Sequence, residues 1–282
     1  MSATLDRSLD LLEALAQYPQ GLSLADISRH CHIAKGTAHR LLLHLATRGY
    51  VRYDERTAMH LPTMQMPVLA SRLLERMGFL DVCQPELDRL ADLSGELARL
   101  VWRDGERLVY IAEAQGAGPG LRYDANLGRV AVLHTTAAGK TWLAGLAGEH
   151  VKTLVRAQHL LGDPSLGPCA IKSMSELMTE LARTRRRAYG LAIDETEVGT
   201  SAVAVSITPS AIAGRTADAL GCLAIVGPTA RFSRVRMVEL VPAMQTAAAS
   251  IAQLWPIRSF CRGPEGSLTR RLTHFRTRQG AP

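Results

Sequence analysis

The sequence of 282 residues lacks the features that mark several common classes of protein. No apolar run approaches the ~20 residues that a membrane-spanning helix needs, and the first ten residues carry acids but no apolar segment of a secretory signal. The five cysteines are widely spaced and form no Cys-x-x-Cys pair. Such a set argues against a disulfide framework or a structural zinc site and is typical of a reducing compartment. We therefore expect a cytoplasmic protein with no membrane partner.

Motifs for metal binding, nucleotide binding and catalysis are also lacking. None of the nine histidines stands at ligand spacing from a carboxylate or a cysteine, so no metal is expected. Residues 138–141 resemble the end of a phosphate-binding loop, but His134 occupies the position of that motif's first glycine. There is no Gly-x-Ser-x-Gly and no paired-carboxylate motif. The sequence predicts neither an enzyme nor a bound cofactor.

The net charge of +7 is unevenly distributed along the chain. Residues 1–62 and residues 63–256 each carry a net charge of +1, whereas residues 257–282 carry +5. The charge balance therefore says little about the folded parts, and any case for DNA binding must rest on the pattern of residues. The composition, 47% hydrophobic and 21% charged, is that of a chain that buries a core, and the length suffices for two domains.

The first 62 residues have the order of elements of a winged helix-turn-helix domain. Leucines at helical spacing predict a first helix, and Ser23 and Asp26 resemble a capping box that starts a second one. Ala38–Leu45 carries the apolar face of a third helix, which ends near Gly49. Two short runs on either side of the polar turn Asp54–Thr57 predict a small hairpin, the wing.

In a helix-turn-helix the second helix of the pair enters the major groove and presents its N-terminal side chains to base edges. Polar and basic residues lie opposite the leucines of the third helix, where they suit phosphate contacts; Arg40 also suits guanine, and Arg56 at the hairpin tip suits a minor groove. The predicted DNA-binding residues are Lys35, Thr37, His39, Arg40, His44 and Arg56. An exposed polar face of this kind is also found on amphipathic helices that contact only solvent. The order of elements favours DNA binding.

These residues resemble the DNA-binding end of the IclR family of bacterial transcription regulators. The resemblance covers TLDRSLDLL at residues 4–12 and GLSLADISRHCHIAKGTAHRLLLHLATRGYV at residues 21–51. Residues 35–42 follow the family pattern of a basic residue, a small residue, Thr, any residue, His, Arg and two leucines. Gly36 stands where the family more often has Ser, so one hydroxyl group that contacts phosphate is expected to be missing.

The rest of the chain extends the resemblance to about 250 residues. Residues 126–140, NLGRVAVLHTTAAGK, and residues 189–199 look like two segments of the family's effector domain. The resemblance implies an α+β fold with residues 1–62 as the winged helix-turn-helix domain and residues 63–80 as a linker helix that contributes to dimerisation. Residues 81–256 would then form a GAF-like effector-binding domain with an antiparallel sheet.

Local patterns supply elements for this second domain. Pro85 is predicted to open a helix, and Asp104-Gly105 between two apolar runs predicts a hairpin over residues 97–111. Further strands are expected at Gly120–Asn126, Ala202–Thr208 and Leu220–Val226. Further helices are expected at Ala138–Leu146, Glu149–Gln158, Met174–Tyr189 and Phe232–Leu254. This mixture of helices and antiparallel hairpins is typical of α+β proteins.

Small residues at the predicted pocket set expectations for the ligand. The resemblance places Thr136, Ala137, Ala138, Gly139, Asp194, Ala202, Ala224 and Val226 at the effector. Residues 136–139 suit backbone N–H groups that face an anion, or equally a helix start with small residues for close packing. Ala202 falls where the family often has Cys, and Ala224 and Val226 fall where hydroxyl groups are found. An apolar lining favours an effector with substantial apolar surface.

The sequence therefore predicts an effector-responsive, DNA-binding transcription regulator that acts as a dimer or a dimer of dimers. The partners expected are double-stranded DNA, a small-molecule effector and a second copy of the chain. The alternative is a small-molecule sensor or enzyme whose first domain binds protein. Residues 257–282 extend past the usual end of the family and, being basic and poor in apolar residues, are predicted to be a disordered tail that adds unspecific affinity for DNA.

Overall fold

The computed structural model describes residues 3–76, 79–124, 127–208 and 219–254, and the chain divides into two compact units, residues 1–77 and 78–282. The predicted tail, residues 257–282, lies outside the described residues. No helix in the described part is long and apolar enough to cross a membrane.

The first unit is built from helices and one small hairpin. Its elements are α1 (Ala3–Gln17), α2 (Leu24–His30), α3 (Lys35–Thr47), β1 (Val51–Asp54), β2 (Met59–Pro62) and α4 (Gln65–Arg76). Strands β1 and β2 pair antiparallel. The core consists of buried apolar side chains from α1, α2, α3 and β1: Leu11, Leu15, Ile27, Ala38, Leu41, Leu42 and Val51. The three helices and the wing are those predicted from the sequence.

The segment predicted as a linker helix over residues 63–80 contains α4, with Pro67 in its first turn. A proline is tolerated there because the first N–H groups of a helix have no partner within the helix. Residues 77 and 78 lie outside the described part, and residues 79 and 80 already belong to the next helix. The role of this segment as a linker stays a prediction.

The second unit is built around an antiparallel sheet. Its elements are α5 (Phe79–Ser94), β3 (Leu97–Asp104), β4 (Arg107–Gln115), α6 (Ala137–Leu143), α7 (Gly148–Gln158), α8 (Met174–Arg187), β5 (Gly190–Ile193), β6 (Thr200–Ile207), β7 (Gly221–Pro228) and α9 (Arg234–Leu254). The five strands follow the order β4-β3-β7-β6-β5, and every neighbouring pair is antiparallel. The predicted α+β class with an antiparallel sheet is confirmed.

Helices cover both faces of this sheet. Helix α6 packs on the face that carries Ala204 and Ala224, together with α7 and α8. Because side chains alternate along a strand, the buried Val203 and Ile225 face the opposite side, which α5 and α9 cover. A small cavity lies on the α6 face, where the sheet side chains are small.

Two local predictions were wrong, and one strand was missed. Residues 120–124 form no strand, since Gly120 has a φ of +119°, which strand residues do not adopt, and it follows a proline. Strand β5 was not predicted, because four residues carry too little alternation. Helix α5 begins before Pro85, which lies inside it and removes one backbone donor without ending the helix.

Candidate functional sites

A tight turn sets α3 against α2 in the first unit. Ser23 caps α2: its Oγ accepts a hydrogen bond from the backbone N–H of Asp26 at 3.2 Å and donates one to Oδ2 of that residue at 2.6 Å. At the other end, Ser28 Oγ donates to the carbonyl of Ile33 at 2.6 Å, and His32 takes the left-handed conformation with φ of +51°. These local bonds fix the connection of the helix pair.

Helix α3 presents two different faces. Ala38, Leu41 and Leu42 are buried in the core of the first unit. Four of the predicted DNA-binding residues of this helix are exposed, namely Lys35, His39, Arg40 and His44, and Thr37 is half-buried. The first turn has no side-chain cap, because Ala34 occupies the capping position. Backbone N–H groups and basic side chains are thus both present at the exposed start of α3.

The wing holds Arg56 at its tip. The carboxylate of Asp54 accepts a hydrogen bond from the backbone N–H of Arg56 at 3.0 Å, and a further hydrogen bond from Thr57 lowers the pKa of Asp54. Ala58 completes the turn with a φ of +55°. The Arg56 side chain is exposed, so the geometry leaves it accessible to a partner.

His60 is buried in the wing. It is on β2, 9% exposed, and its backbone forms a bridge to Leu22. Burial lowers the pKa of His60, so the neutral ring is favoured. Its ring lies 4.9 Å from that of Tyr53, between centroids. The role of His60 is in the packing of the wing.

The second unit contains a small cavity between α6 and the sheet. Its volume, measured as the space open to the centre of a water molecule, is ≈ 40 Å³, more than the ~10–15 Å³ that one water needs. The lining residues are Arg99, Tyr110, Tyr123, Thr136, Ala137, Ala138, Ala192, Thr196, Thr200, Ala202, Ala224 and Val226. Small side chains on neighbouring strands create this space, because Ala202 pairs with both Ala192 and Val226 in the sheet register.

Six of the eight residues that the sequence predicted at the effector line this cavity, and two do not. Asp194 instead accepts hydrogen bonds at Oδ1 from the backbone N–H of Gly199 at 2.7 Å and from the hydroxyl group of Thr229 at 3.1 Å. Gly139 is buried in α6 and donates its N–H to Thr136 Oγ1 at 3.1 Å. Asp194 thus stabilises the loop that ends at Gly199, and Gly139 stabilises the first turn of α6.

The small residues at the start of α6 serve close packing. A Cβ atom on Gly139 would lie 2.3 Å from the carbonyl oxygen of Leu133, and one on Gly190 would lie 2.2 Å from that of Ala137. Only glycine permits such an approach of two backbones. The sequence left two interpretations open for Gly139, a backbone N–H group that faces an anion or a small residue for close packing. The geometry supports close packing.

Sequence reasoning missed the polar side of the cavity. Arg99 is 3% exposed; its guanidinium lies 3.7 Å from the centroid of the Tyr110 ring, and its Nε is 3.4 Å from Oε2 of Glu113. Burial raises the pKa of Tyr110 to about 12 and that of Tyr123 above its ordinary value, so both phenols are protonated at neutral pH. Thr196 and Thr200 add hydroxyl groups.

A buried ion pair lies on the far end of α6. Lys140 Nζ is 2.5 Å from Glu195 Oε1, and the lysine side chain is 1% exposed. His134 is fully buried, and burial together with Lys140 lowers the pKa of its imidazole. Within the described residues, no group of three or more histidine, cysteine or acidic side chains could hold a metal ion.

The first compact unit is a winged helix-turn-helix, and the second is an antiparallel sheet with a small cavity under one helix. This combination is that of a one-component regulator. The family model described as "IclR helix-turn-helix domain" matches residues 4–55, and that of "Bacterial transcriptional regulator IclR C-terminal" matches residues 71–253. The chain belongs to the IclR family of bacterial transcription regulators.

Relatives and solved structures agree with this assignment. The regulator BhcR of Paracoccus denitrificans is 29% identical over 250 residues, which cover 88% of this chain and 85% of that protein. The acetate operon repressor of Salmonella typhimurium is 26% identical, with 88% of each chain covered. An IclR regulator from Alicyclobacillus acidocaldarius superposes with a TM-score of 0.77 at 22% identity, over 91% of this chain and 99% of that one.

A further solved structure contains a ligand. It is an IclR homologue from Microbacterium hydrocarbonoxydans in complex with 4-hydroxybenzoate, with a TM-score of 0.70, 19% identity and coverage of 89% of this chain and 98% of that one. Taken with the family assignment, the chain is a DNA-binding transcription regulator with an effector-binding C-terminal domain, as the sequence predicted.

Proposed function

We propose that the exposed face of α3 binds operator DNA in the major groove, with Arg56 of the wing in the adjacent minor groove. The observation that carries this proposal is the division of α3 into a buried leucine face and an exposed face that holds Lys35, His39, Arg40 and His44. Thr37 completes the proposed contact set. Basic side chains at the N-terminal half of a recognition helix are suited to phosphates and to base edges.

Sequence-selective DNA binding is tested by gel shift on the intergenic region beside the chain's own gene, with a shuffled sequence of equal length as the control. We expect a shift of the native fragment that survives competition by the shuffled one and weakens as salt rises. A protein that shifts both fragments alike, or neither, with and without candidate ligands, would favour the alternative of a sensor or enzyme whose first unit binds protein. The proposed regulator acts in the cytoplasm and catalyses no reaction.

The effector is proposed to bind in the cavity beneath α6. Thr136, Ala137, Ala138, Ala202, Ala224 and Val226 line this space, and their methyl groups favour a ligand with apolar surface. The relative with bound 4-hydroxybenzoate shows that one family member takes an aromatic acid. For a ligand to change operator binding, it must bind two states of the protein with different affinity.

Self-association is proposed to use apolar side chains of the first unit, so that two copies of α3 meet two half-sites. Large apolar side chains are exposed on two of its helices: Leu5 at 60% and Leu9 at 47% on α1, and Leu69 at 45% and Leu73 at 54% on α4. The variant Leu69→Glu/Leu73→Glu should shift the mass measured by light scattering toward the monomer. Val198→Glu, at a residue 77% exposed in the second unit, is the control.

A further inference from the structure

Arg99 brings a buried positive charge to the wall of the cavity. It lies on β3, directly opposite Glu113 of β4 and Ala224 of β7, so the three residues form one row across the sheet. Its side chain is 4% exposed, and the ring of Tyr110 lies against its guanidinium at 3.7 Å. The Tyr110 ring and the Glu113 carboxylate both restrain the guanidinium of Arg99. The guanidinium is therefore held in a fixed orientation, as is typical of a group that binds a ligand.

The charges around the cavity are unequal. Among the described residues of the lining, Arg99 carries a charge and none is an aspartate or a glutamate. The carboxylate that pairs with Arg99, that of Glu113, lies outside the lining and is 27% exposed. The remaining polar groups of the lining are the hydroxyls of Tyr110, Tyr123 and of three threonines. The hydroxyls of Thr136 and Thr196 already donate to the backbone carbonyls of Val132 and Thr135. The guanidinium of Arg99 and the phenols of Tyr110 and Tyr123 are groups that can donate hydrogen bonds to an anion.

Four residues of the cavity floor are apolar, and Thr200 of β6 adds one hydroxyl group beside them. These four residues, Ala192, Ala202, Ala224 and Val226, lie on β5, β6 and β7. The family resemblance leads one to expect a cysteine in place of Ala202 and hydroxyl groups in place of Ala224 and Val226. A charged group placed on this floor would lose its hydration without a charged side-chain partner. Among the lining residues that the structure describes, Arg99 on β3 is the one that can balance the charge of an anionic ligand.

We propose that Arg99 determines effector specificity in this chain, and that the effector is an organic acid whose anionic group binds the Arg99 guanidinium while a compact apolar body contacts the alanine and valine floor. This inference rests on the proposed function, in which the cavity holds the effector. A guanidinium has five N–H donors, more than one carboxylate can use, so the acid shares Arg99 with Glu113 or replaces it.

Matched acids and amides test the charge requirement on the full chain. Propionate and isobutyrate are compared with propionamide and isobutyramide, which have the same size and no charge, by titration calorimetry and by the midpoint of thermal unfolding. We expect saturable binding of the acids and at least about tenfold weaker binding of the amides. Equal binding of acids and amides, or no saturable binding of either acid up to about 50 mM, would overturn the proposal.

Variants test the assignment to Arg99. Arg99→Gln should lower acid affinity at least about tenfold and leave amide affinity unchanged, whereas Arg107→Gln, which removes an exposed arginine paired with Asp104 in the same hairpin, should change neither. Retained acid preference in a folded Arg99→Gln protein would place the anion elsewhere and reject the proposal.

If Arg99→Gln does not fold, Glu113→Gln provides a second test of the role of Arg99. It retains Arg99 and removes the carboxylate that competes for it, so acid affinity should rise several-fold, and an unchanged or lower affinity would contradict the proposal. The gel shift is run in parallel. Acid binding that depends on Arg99 but does not alter the shift would reject the role of the cavity in regulation and leave the specificity of Arg99 intact.

Discussion

The ammonium group of Lys140 lies 2.5 Å from a carboxylate oxygen of Glu195, inside the second unit, where the lysine side chain is 1% exposed and the glutamate 13%. Burial lowers the pKa of Lys140 and raises that of Glu195, in each case against the attraction of the partner. Desolvation therefore exceeds the mutual attraction for both groups. Buried pairs of this kind generally contribute little net stability, because the loss of hydration opposes the attraction of the two charges.

Removing one member of this pair should be worse than removing both. Lys140→Met leaves a buried carboxylate without its partner and should lower the free energy of unfolding by about 3–5 kcal/mol, while Lys140→Met/Glu195→Met should lower it by less. Urea unfolding followed by tryptophan fluorescence measures this, since Trp102, Trp142 and Trp255 all belong to the second unit. Lys152→Met, from an exposed pair, should cost at most about 1 kcal/mol. A double variant that loses as much stability as Lys140→Met, or more, would contradict the account.

His134 should make the second unit less stable in mild acid. Neither of its ring nitrogens hydrogen-bonds to any residue that the structure describes, and burial lowers its pKa from the ordinary 6.5. The unfolded chain therefore binds more protons below pH 6.5, and stability is lost as the pH falls through that value toward the folded pKa. His134→Leu should flatten the pH dependence between pH 7 and 5, and His44→Gln, at an exposed residue of the other unit, should not. An unchanged slope in His134→Leu would assign the proton uptake to another group.

Gly36→Ser should strengthen binding to DNA of any sequence. A Cβ atom at this position has no atom within 4 Å, and the residue is in the uncapped first turn of α3. The added hydroxyl group can donate to a phosphate, which should raise affinity roughly threefold to tenfold. Gly36→Ala is the matched control, because it changes helix propensity without adding a donor. If Gly36→Ala raises affinity as much as Gly36→Ser, the phosphate contact is refuted.

Truncation after Pro256 should separate charge from recognition. Residues 257–282 carry +5 of the net charge of +7, so their removal should weaken unspecific DNA binding and flatten its salt dependence, because fewer counterions are released. Folding, oligomeric state and operator preference should be retained. Aggregation of the truncated protein, or loss of operator discrimination at matched salt, would show that the tail is a folded part of the protein.

Much of the fold could be predicted because its signals are local. The cap at Ser23, the leucine face of α3 and the polar turn before Ala58 each lie within a few residues of one another, and the structure confirms the helices and the wing they predict. The α+β class could be predicted from local hairpin and helix patterns, and the antiparallel sheet from the family resemblance. Its strand order, β4-β3-β7-β6-β5, depends on contacts between distant segments and could not.

The polar side of the cavity escaped sequence analysis because it depends on register. Arg99 follows two apolar residues in a strand, and nothing in its neighbours distinguishes it from an exposed arginine of an ordinary hairpin. Its burial follows from the pairing of β3 with both β4 and β7, which places it in the middle of the sheet beside Glu113 and Ala224. Tyr123 comes from an irregular loop and carries no periodic signal at all.

The most direct test of the central claim, that α3 recognises the operator, is the affinity of Arg40→Ala for operator and for random DNA at the same salt concentration. Arg40 is exposed at the N-terminal half of α3, whereas the control residue Arg48 is exposed at its C-terminal end. If Arg40 contacts a base edge, Arg40→Ala should lose about 1–3 kcal/mol on the operator and far less on random DNA, and Arg48→Ala should lose less on the operator. An equal loss on both DNAs would mean that Arg40 contacts only phosphate, and unchanged operator affinity would contradict the placement of α3 in the groove.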